Sequence, residues 1–226
     1  MEIVDRWHAV RARVAEACER AGRSPDEVTI VAVSKTHPAS AVRAAAAAGA
    51  TDFGENYAQE LAGKRGELPD LRWHFIGRLQ RNKAKLVAGQ VALVHAVDSR
   101  ELAEELGKRA GGAVQPILLA VNAAGEATKG GVDVAAAPEL ARAIAGVAGV
   151  RLDGLMTMPP PDADPRPYFE ALRALKARLE DELGAALPVL SMGMSGDFEQ
   201  AIAYGATHVR IGTAIFGERA RVATPG

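Results

Sequence analysis

Eight short apolar runs, each parted from the next by a stretch of helical pattern, govern what this 226-residue chain can fold into. The first is Val28 to Lys35. The others lie near 51–54, 72–76, 91–97, 115–121, 151–156, 188–192 and 207–211. Such Val- and Ile-rich runs read as strands. Helix-like segments fall at 38–49, 55–66, 79–88, 99–110, 135–148, 166–184 and 196–204. Strands alternating with helices pair in parallel, because the helix supplies the crossover that a parallel pair needs. Eight units predict an α/β fold, a single closed (β/α)8 TIM barrel. An open doubly wound sheet is the alternative. It places a glycine-rich turn after its first strand, and here that turn reads Lys35-Thr36-His37-Pro38. Residues 2–22 predict an N-terminal helix, with Ile3, Trp7, Val10, Val14 and Ala17 on one face and Gly22 at its end. No composition break divides the chain, and Pro159-Pro160-Pro161-Asp162 reads as a loop, so residues 1–226 are taken as one domain.

Composition removes several function classes. The 27 basic and 28 acidic residues nearly cancel, leaving no electrostatic footprint for nucleic acid or an anionic membrane. Aromatic residues, at 4%, are too sparse for a base-stacking surface. No apolar run approaches the ~18 residues of a membrane span. The single cysteine, Cys18, excludes an internal disulfide and a cysteine-cluster metal site, and reads as a small buried residue. Charges run through the N-terminal stretch, where a signal peptide would be apolar, so the expected compartment is the cytoplasm.

Chemistry in a barrel of this kind gathers at the C-terminal ends of the strands. Lys35 ends the first run and shares a face with Thr29, Val31 and Val33, which aims it into the barrel mouth. A lysine partly desolvated there has a lowered pKa and an amine that can attack a carbonyl. A lysine that merely reaches out to solvent is the plain alternative. The seventh run leads into Ser191-Met192-Gly193-Met194-Ser195-Gly196-Asp197, and the eighth into Arg210-Ile211-Gly212-Thr213-Ala214-Ile215-Phe216-Gly217. Loops after strands seven and eight are the usual phosphate site of this fold. A phosphate anchored there beside an amine on strand one suits a phosphorylated aldehyde. Arg210 alternates with Val209 and Ile211 and so faces the interior, where it needs an acceptor. A pyridine nitrogen is one candidate; an internal carboxylate such as Glu55 is the other. His74 is placed inside between the outward Trp73 and Phe75, and Asn56 is placed at the mouth after Phe53-Gly54-Glu55. Thr128-Lys129-Gly130-Gly131 reads as a solvated loop able to gate the site. Arg78 to Lys85 reads as a solvated helix face.

Five stretches taken together, Val33-Ser34-Lys35-Thr36, Phe53 to Tyr57, Trp73 to Gly77, Leu190 to Ser195 and Arg210 to Gly217, resemble the pyridoxal phosphate homeostasis proteins. The likeness runs from about residue 28 to residue 218, with the motifs in the family's order. It implies a monomeric barrel like the N-terminal domain of alanine racemase, with pyridoxal 5′-phosphate (PLP) held as a Schiff base on Lys35. It implies phosphate contacts from Ser191, Ser195, Gly212 and Thr213, Arg210 near the pyridine nitrogen, and Asn56 and His74 as further cofactor contacts. It implies no metal, no catalytic residue and no established turnover. The partners it implies are PLP, other B6 vitamers and apo forms of PLP enzymes.

Three readings compete. One is a PLP-binding protein of vitamin B6 homeostasis. Another is a PLP-dependent amino-acid racemase, which needs an acid/base group on each face of the substrate carbon; the three tyrosines, Tyr57, Tyr168 and Tyr204, offer no evident opposing base. The third is a Schiff-base aldolase working without PLP.

Overall fold

Every predicted strand is present. The computed structural model describes residues 2–125 and 130–218. In chain order its elements are α1 (Ile3–Arg20), β1 (Thr29–Val33), α2 (Ala39–Ala47), β2 (Asp52–Glu55), α3 (Ala58–Glu67), β3 (Arg72–Phe75), β4 (Leu93–Val97), α4 (Arg100–Arg109), β5 (Gln115–Asn122), β6 (Val132–Asp133), α5 (Ala137–Ala145), β7 (Val150–Met156), α6 (Arg166–Leu183), β8 (Val189–Ser191), α7 (Phe198–Ala203), β9 (His208–Ile211) and α8 (Thr213–Phe216). The strands hydrogen-bond in the order β4-β3-β2-β1-β9-β8-β7-β5, and β4 pairs with β5 to close the ring. All of these pairs are parallel. The chain is a (β/α)8 barrel, and the open-sheet alternative is excluded by that closure.

Three details depart from the sequence reading. The first strand ends at Val33, which leaves Lys35 in the turn two residues on. The crossover expected as a helix over 79–88 is a 3-10 segment, Arg81–Leu86; Ala84 and Val87 are buried three residues apart, the repeat of that tighter turn. A two-residue strand, β6, adds to the end of β5 through Val121↔Val132 and Asn122↔Asp133.

Alternation along the strands sorts the two faces. Ala32, Phe53, Trp73, Phe75, Ile117, Leu119, Val209 and Ile211 point outward into the core beneath the helices. The inward positions carry His74, His95, Ser191, His208 and Arg210 among apolar residues, so a polar layer crosses the barrel interior. Close backbone approach between β7 and β8 requires Gly154, where any side chain would collide with the Val189 carbonyl. Helix α1 buries Trp7, Val10, Val14, Ala17 and Cys18, as its periodicity predicts. Arg6 donates to the carbonyl of Ile215 at 2.8 Å, tying α1 to α8. Arg23 donates to the carbonyls of Ile202 and Ala206 at 3.0 and 2.8 Å and satisfies the end of α7. Among the described residues, no helix is long and apolar enough to cross a membrane, and no cluster of side chains suits a metal ion.

Candidate functional site

A cavity of about 420 Å³ opens at the C-terminal ends of the strands, within the size range of small-ligand sites. Val33, Ala96, Ala120 and Met156 make its apolar walls; Lys35, Asn56, Ser195, Arg210, Gly212 and Thr213 also line it. Six of the eight predicted site residues therefore converge, although they come from four separate stretches of chain. His74 and Ser191 are not among the lining residues. Both are buried in the polar layer beneath, His74 against Asp52 and His95, and Ser191 against His95 and Arg210. Lys129 and Thr128, read as a possible gate, lie outside the described residues; Gly130 and Gly131 line the cavity beside them.

The turn that carries Lys35 is held from behind. Lys64 of α3 is buried and donates to the Ser34 carbonyl at 2.7 Å, to Glu55 Oε1 at 2.6 Å and to Glu60 Oε1 at 2.7 Å. Glu55 accepts from the Ser34 hydroxyl at 2.6 Å, and Glu60 accepts from the Thr36 backbone N–H at 2.7 Å. The residues on both sides of Lys35 are thus fixed by one ionic cluster, buried at Lys64 and Glu55 and part-exposed at Glu60. Thr36 sits at φ 66°, a left-handed conformation that a β-branched residue adopts only when its surroundings impose it. Burial pushes the Glu55 carboxyl up, against the pull of its hydrogen bonds from Lys64 and Ser34. Glu55 is the partner of Lys64, so the Arg210–Glu55 ion pair weighed from sequence does not form.

Arg210 is 6% exposed. Nη1 donates to Ser191 Oγ at 2.6 Å and Nη2 to the Thr157 carbonyl at 2.9 Å. Burial brings its pKa down to about 10, with Asp197 pulling the other way. Among the described residues its hydrogen-bond partners are neutral, so it faces the cavity with Asp197 acting on it only through space. With Lys35 and Arg78 it makes three lysines and arginines along the described lining, against one carboxylate, Asp98. That balance favours an anionic ligand.

The two predicted turns meet at the cavity edge. The Ala214 N–H donates to Ser195 Oγ at 3.4 Å, and the Arg210 N–H to the Gly193 carbonyl at 2.9 Å. Gly193 has φ 91° and packs against Ala201 and Phe198, leaving no room for a side chain. Across the cavity the buried Asn56 Oδ1 has no hydrogen-bond partner among the described residues. A buried acceptor beside a cavity without a partner is an unmet demand that a ligand donor can fill.

His95, Asp52 and the Lys64 cluster were not singled out from sequence. His95 had a readable signal, its place at an inward phase of β4. Lys64 had only its spacing four residues after Glu60, which is common on exposed helices.

The interior histidines make stability acid-sensitive. Burial lowers His95 well below the usual range and His208 to about 4. The unfolded chain takes up these protons below about pH 6.5 while the folded chain resists, so stability is lost as pH falls from about 6.5 to about 4. Glu55, with its raised pKa, acts in the opposite sense but is one group against two. Calorimetry in buffers from pH 7 to pH 4 is expected to show a falling Tm; a flat profile contradicts neutral buried histidines.

A closed parallel barrel with a lysine just past its first strand, facing small-residue turns after the last two strands, is the architecture of the alanine racemase N-terminal domain class. The family described as alanine racemase, N-terminal domain, matches residues 6–220. The pyridoxal phosphate homeostasis protein of Aquifex aeolicus is 46% identical over 97% of this chain and 99% of its own. The structure of PipY from Synechococcus elongatus PCC7942 with PLP bound superposes with a TM-score of 0.84 at 36% identity, covering 96% of this chain and 100% of that one. Alanine racemase of Corynebacterium glutamicum shares the fold, with a TM-score of 0.71 at 19% identity, over 100% of this chain and 65% of its own. The chain belongs to the pyridoxal phosphate homeostasis protein family.

Proposed function

We propose that this protein binds PLP in the barrel-mouth cavity, covalently through Lys35, and serves as a carrier in vitamin B6 homeostasis. The observation that carries the reading is the convergence of Lys35, Arg210 and the Ser195 and Gly212-Thr213 turns on one cavity with a cationic lining. The residues fit the group. An aldehyde needs an amine, a phosphate needs hydroxyls and backbone N–H groups, and the aromatic ring needs apolar walls such as Val33, Ala96 and Met156. When bound, PLP supplies an electrophilic carbonyl and an electron-withdrawing ring. Arg210 donates hydrogen bonds only, so it would keep a facing ring nitrogen unprotonated and weaken that electron withdrawal. A weakened electron sink suits storage better than turnover.

Ser195, Gly212 and Thr213 take the phosphate in this reading. PLP is then expected to bind at least about tenfold more tightly than unphosphorylated pyridoxal, as one or more charge-assisted hydrogen bonds of about 1.5–3 kcal/mol are lost. Equal affinities by fluorescence titration would remove the phosphate assignment.

The racemase reading needs a base opposite Lys35. Tyr57, Tyr168 and Tyr204 are absent from the described cavity lining, while His37 and Asp98 are present in it. Incubation of the PLP-loaded protein with single-enantiomer alanine decides the matter. No racemisation is expected, and sustained turnover that requires Lys35 would replace the carrier reading. We place the protein in the cytoplasm as a monomer, with apo PLP enzymes as recipients and other B6 vitamers as competing ligands; the single buried cysteine, which leaves no partner for an internal disulfide, supports the compartment.

A further inference from the structure

The polar layer under the cavity has a direction. Asp52 Oδ1 lies 2.9 Å from His74 Nε2, and His74 Nδ1 lies 2.9 Å from His95 Nε2. His95 Nδ1 lies 2.8 Å from Ser191 Oγ, which lies 2.6 Å from Arg210 Nη1. The chain draws on β2, β3, β4, β8 and β9 and crosses the barrel. Hydrogen positions follow from the requirement that each buried donor finds an acceptor. Arg210 can only donate, so Ser191 accepts from it. The Ser191 hydroxyl proton then has one acceptor among the described residues, His95 Nδ1. His95 Nε2 therefore carries its proton toward His74 Nδ1, and His74 Nε2 donates to the Asp52 carboxylate. Every bond points the same way, from the cation in the cavity wall to an anion at the far end of the barrel. His208, with ring centroids 5.9 and 6.0 Å from those of His74 and His95, packs beside the chain without joining it.

Resting on the reading of the cavity as a PLP site, we propose that Asp52, His74, His95 and Ser191 are positioning residues that hold Arg210 against the cofactor ring. The arrangement fixes a buried guanidinium that no carboxylate contacts among the described residues. Asp197 offsets its charge through space, while Asp52, itself paired with Arg72 at 3.0 Å, ends the run of neutral groups that fixes Nη1, leaving the remaining N–H groups for a ligand. Burial alone would push the Asp52 carboxyl up, but hydrogen bonds from His74, Thr51 and Arg72 hold it at about 2, so the anion persists. Ser191, read from sequence as a phosphate contact, is instead committed on both sides to this chain.

The test uses the intact protein titrated with PLP, with the absorption spectrum of the bound cofactor and its dissociation constant as readouts. Ser191→Ala cuts the chain next to Arg210. Asp52→Asn keeps an acceptor for His74 and removes the charge at the far end. Both are expected to shift the visible maximum and to weaken PLP about tenfold, while borohydride still traps the cofactor on Lys35. Ser191→Thr, which keeps the hydroxyl, is expected to restore the wild-type spectrum. A merely structural role would lower Tm and leave the spectrum of the bound cofactor unmoved. If folded Asp52→Asn protein gives the wild-type spectrum and affinity, the relay is overturned even where Ser191→Ala fails to fold. If wild-type protein takes up no PLP, the functional reading itself fails, and the two failures are distinct.

Discussion

Lys35→Ala protein is expected to carry no violet-absorbing cofactor band, before or after added PLP, and to incorporate no cofactor on borohydride reduction. The wild-type band is expected to bleach under the same treatment. Lys35 is the only lysine among the described residues lining the cavity, whose wall also includes the apolar Val33. Removing the amine removes the only bond the carrier reading makes to the aldehyde. What remains is a noncovalent site of Arg210 and the small-residue turns, expected to hold PLP roughly 100-fold or more weakly, a loss of about 2.7 kcal/mol. Full covalent loading of the variant would place the attachment elsewhere and end the reading. A colourless wild-type protein that borohydride links only to a sugar phosphate would point to the aldolase chemistry weighed from sequence.

Loss of Lys64 is expected to have the largest effect on stability. In Lys64→Met the Glu55 carboxylate, fully buried, keeps the Ser34 hydroxyl but loses its cation. Breaking one side of a buried pair costs about 3–5 kcal/mol, which for a domain of this size lowers Tm by roughly 6–20 °C. The same lysine holds the Ser34 carbonyl and, with Glu60, the edge of the Thr36 turn. The Lys35 backbone should therefore loosen as well, weakening PLP in protein still folded at low temperature. Lys64→Met combined with Glu55→Met is expected to recover much of the stability, because no charge is then left buried without a partner. Failure of the double variant to recover, with a normal PLP affinity in the single one, would show that the cluster neither strains the core when cut nor positions Lys35.

Much of the site was legible because it follows from alternation and chain order. Lys35 shares the phase of Val31 and Val33, Arg210 stands between two outward aliphatic residues, and the serine and threonine turns come after the last two strands. The two expected contacts that lie outside the cavity lining, Ser191 and His74, do so for a common reason. Ser191 adjoins the turn in sequence, but it is still on β8 and fully buried, while Ser195 lines the cavity. His74 was placed inside correctly by alternation; its partner is another inward histidine, 21 residues away. Sequence periodicity gives the face on which a residue sits but not its height along the barrel axis, and height separates a cavity wall from the layer beneath it.

The sequence by itself determined the eight strands, the parallel barrel, the buried face of α1 and the family likeness, because each rests on local periodicity or on short contiguous motifs. Only the tertiary structure decided that Glu55 answers Lys64 and not Arg210, and that Arg210 is joined through Ser191, His95 and His74 to Asp52. Those pairings are set by strand register and by the stagger of a closed barrel, which bring together side chains up to 96 residues apart. No local pattern records that separation, because a hydrogen bond depends on a distance of about 3 Å in space and carries no signature in the spacing along the chain.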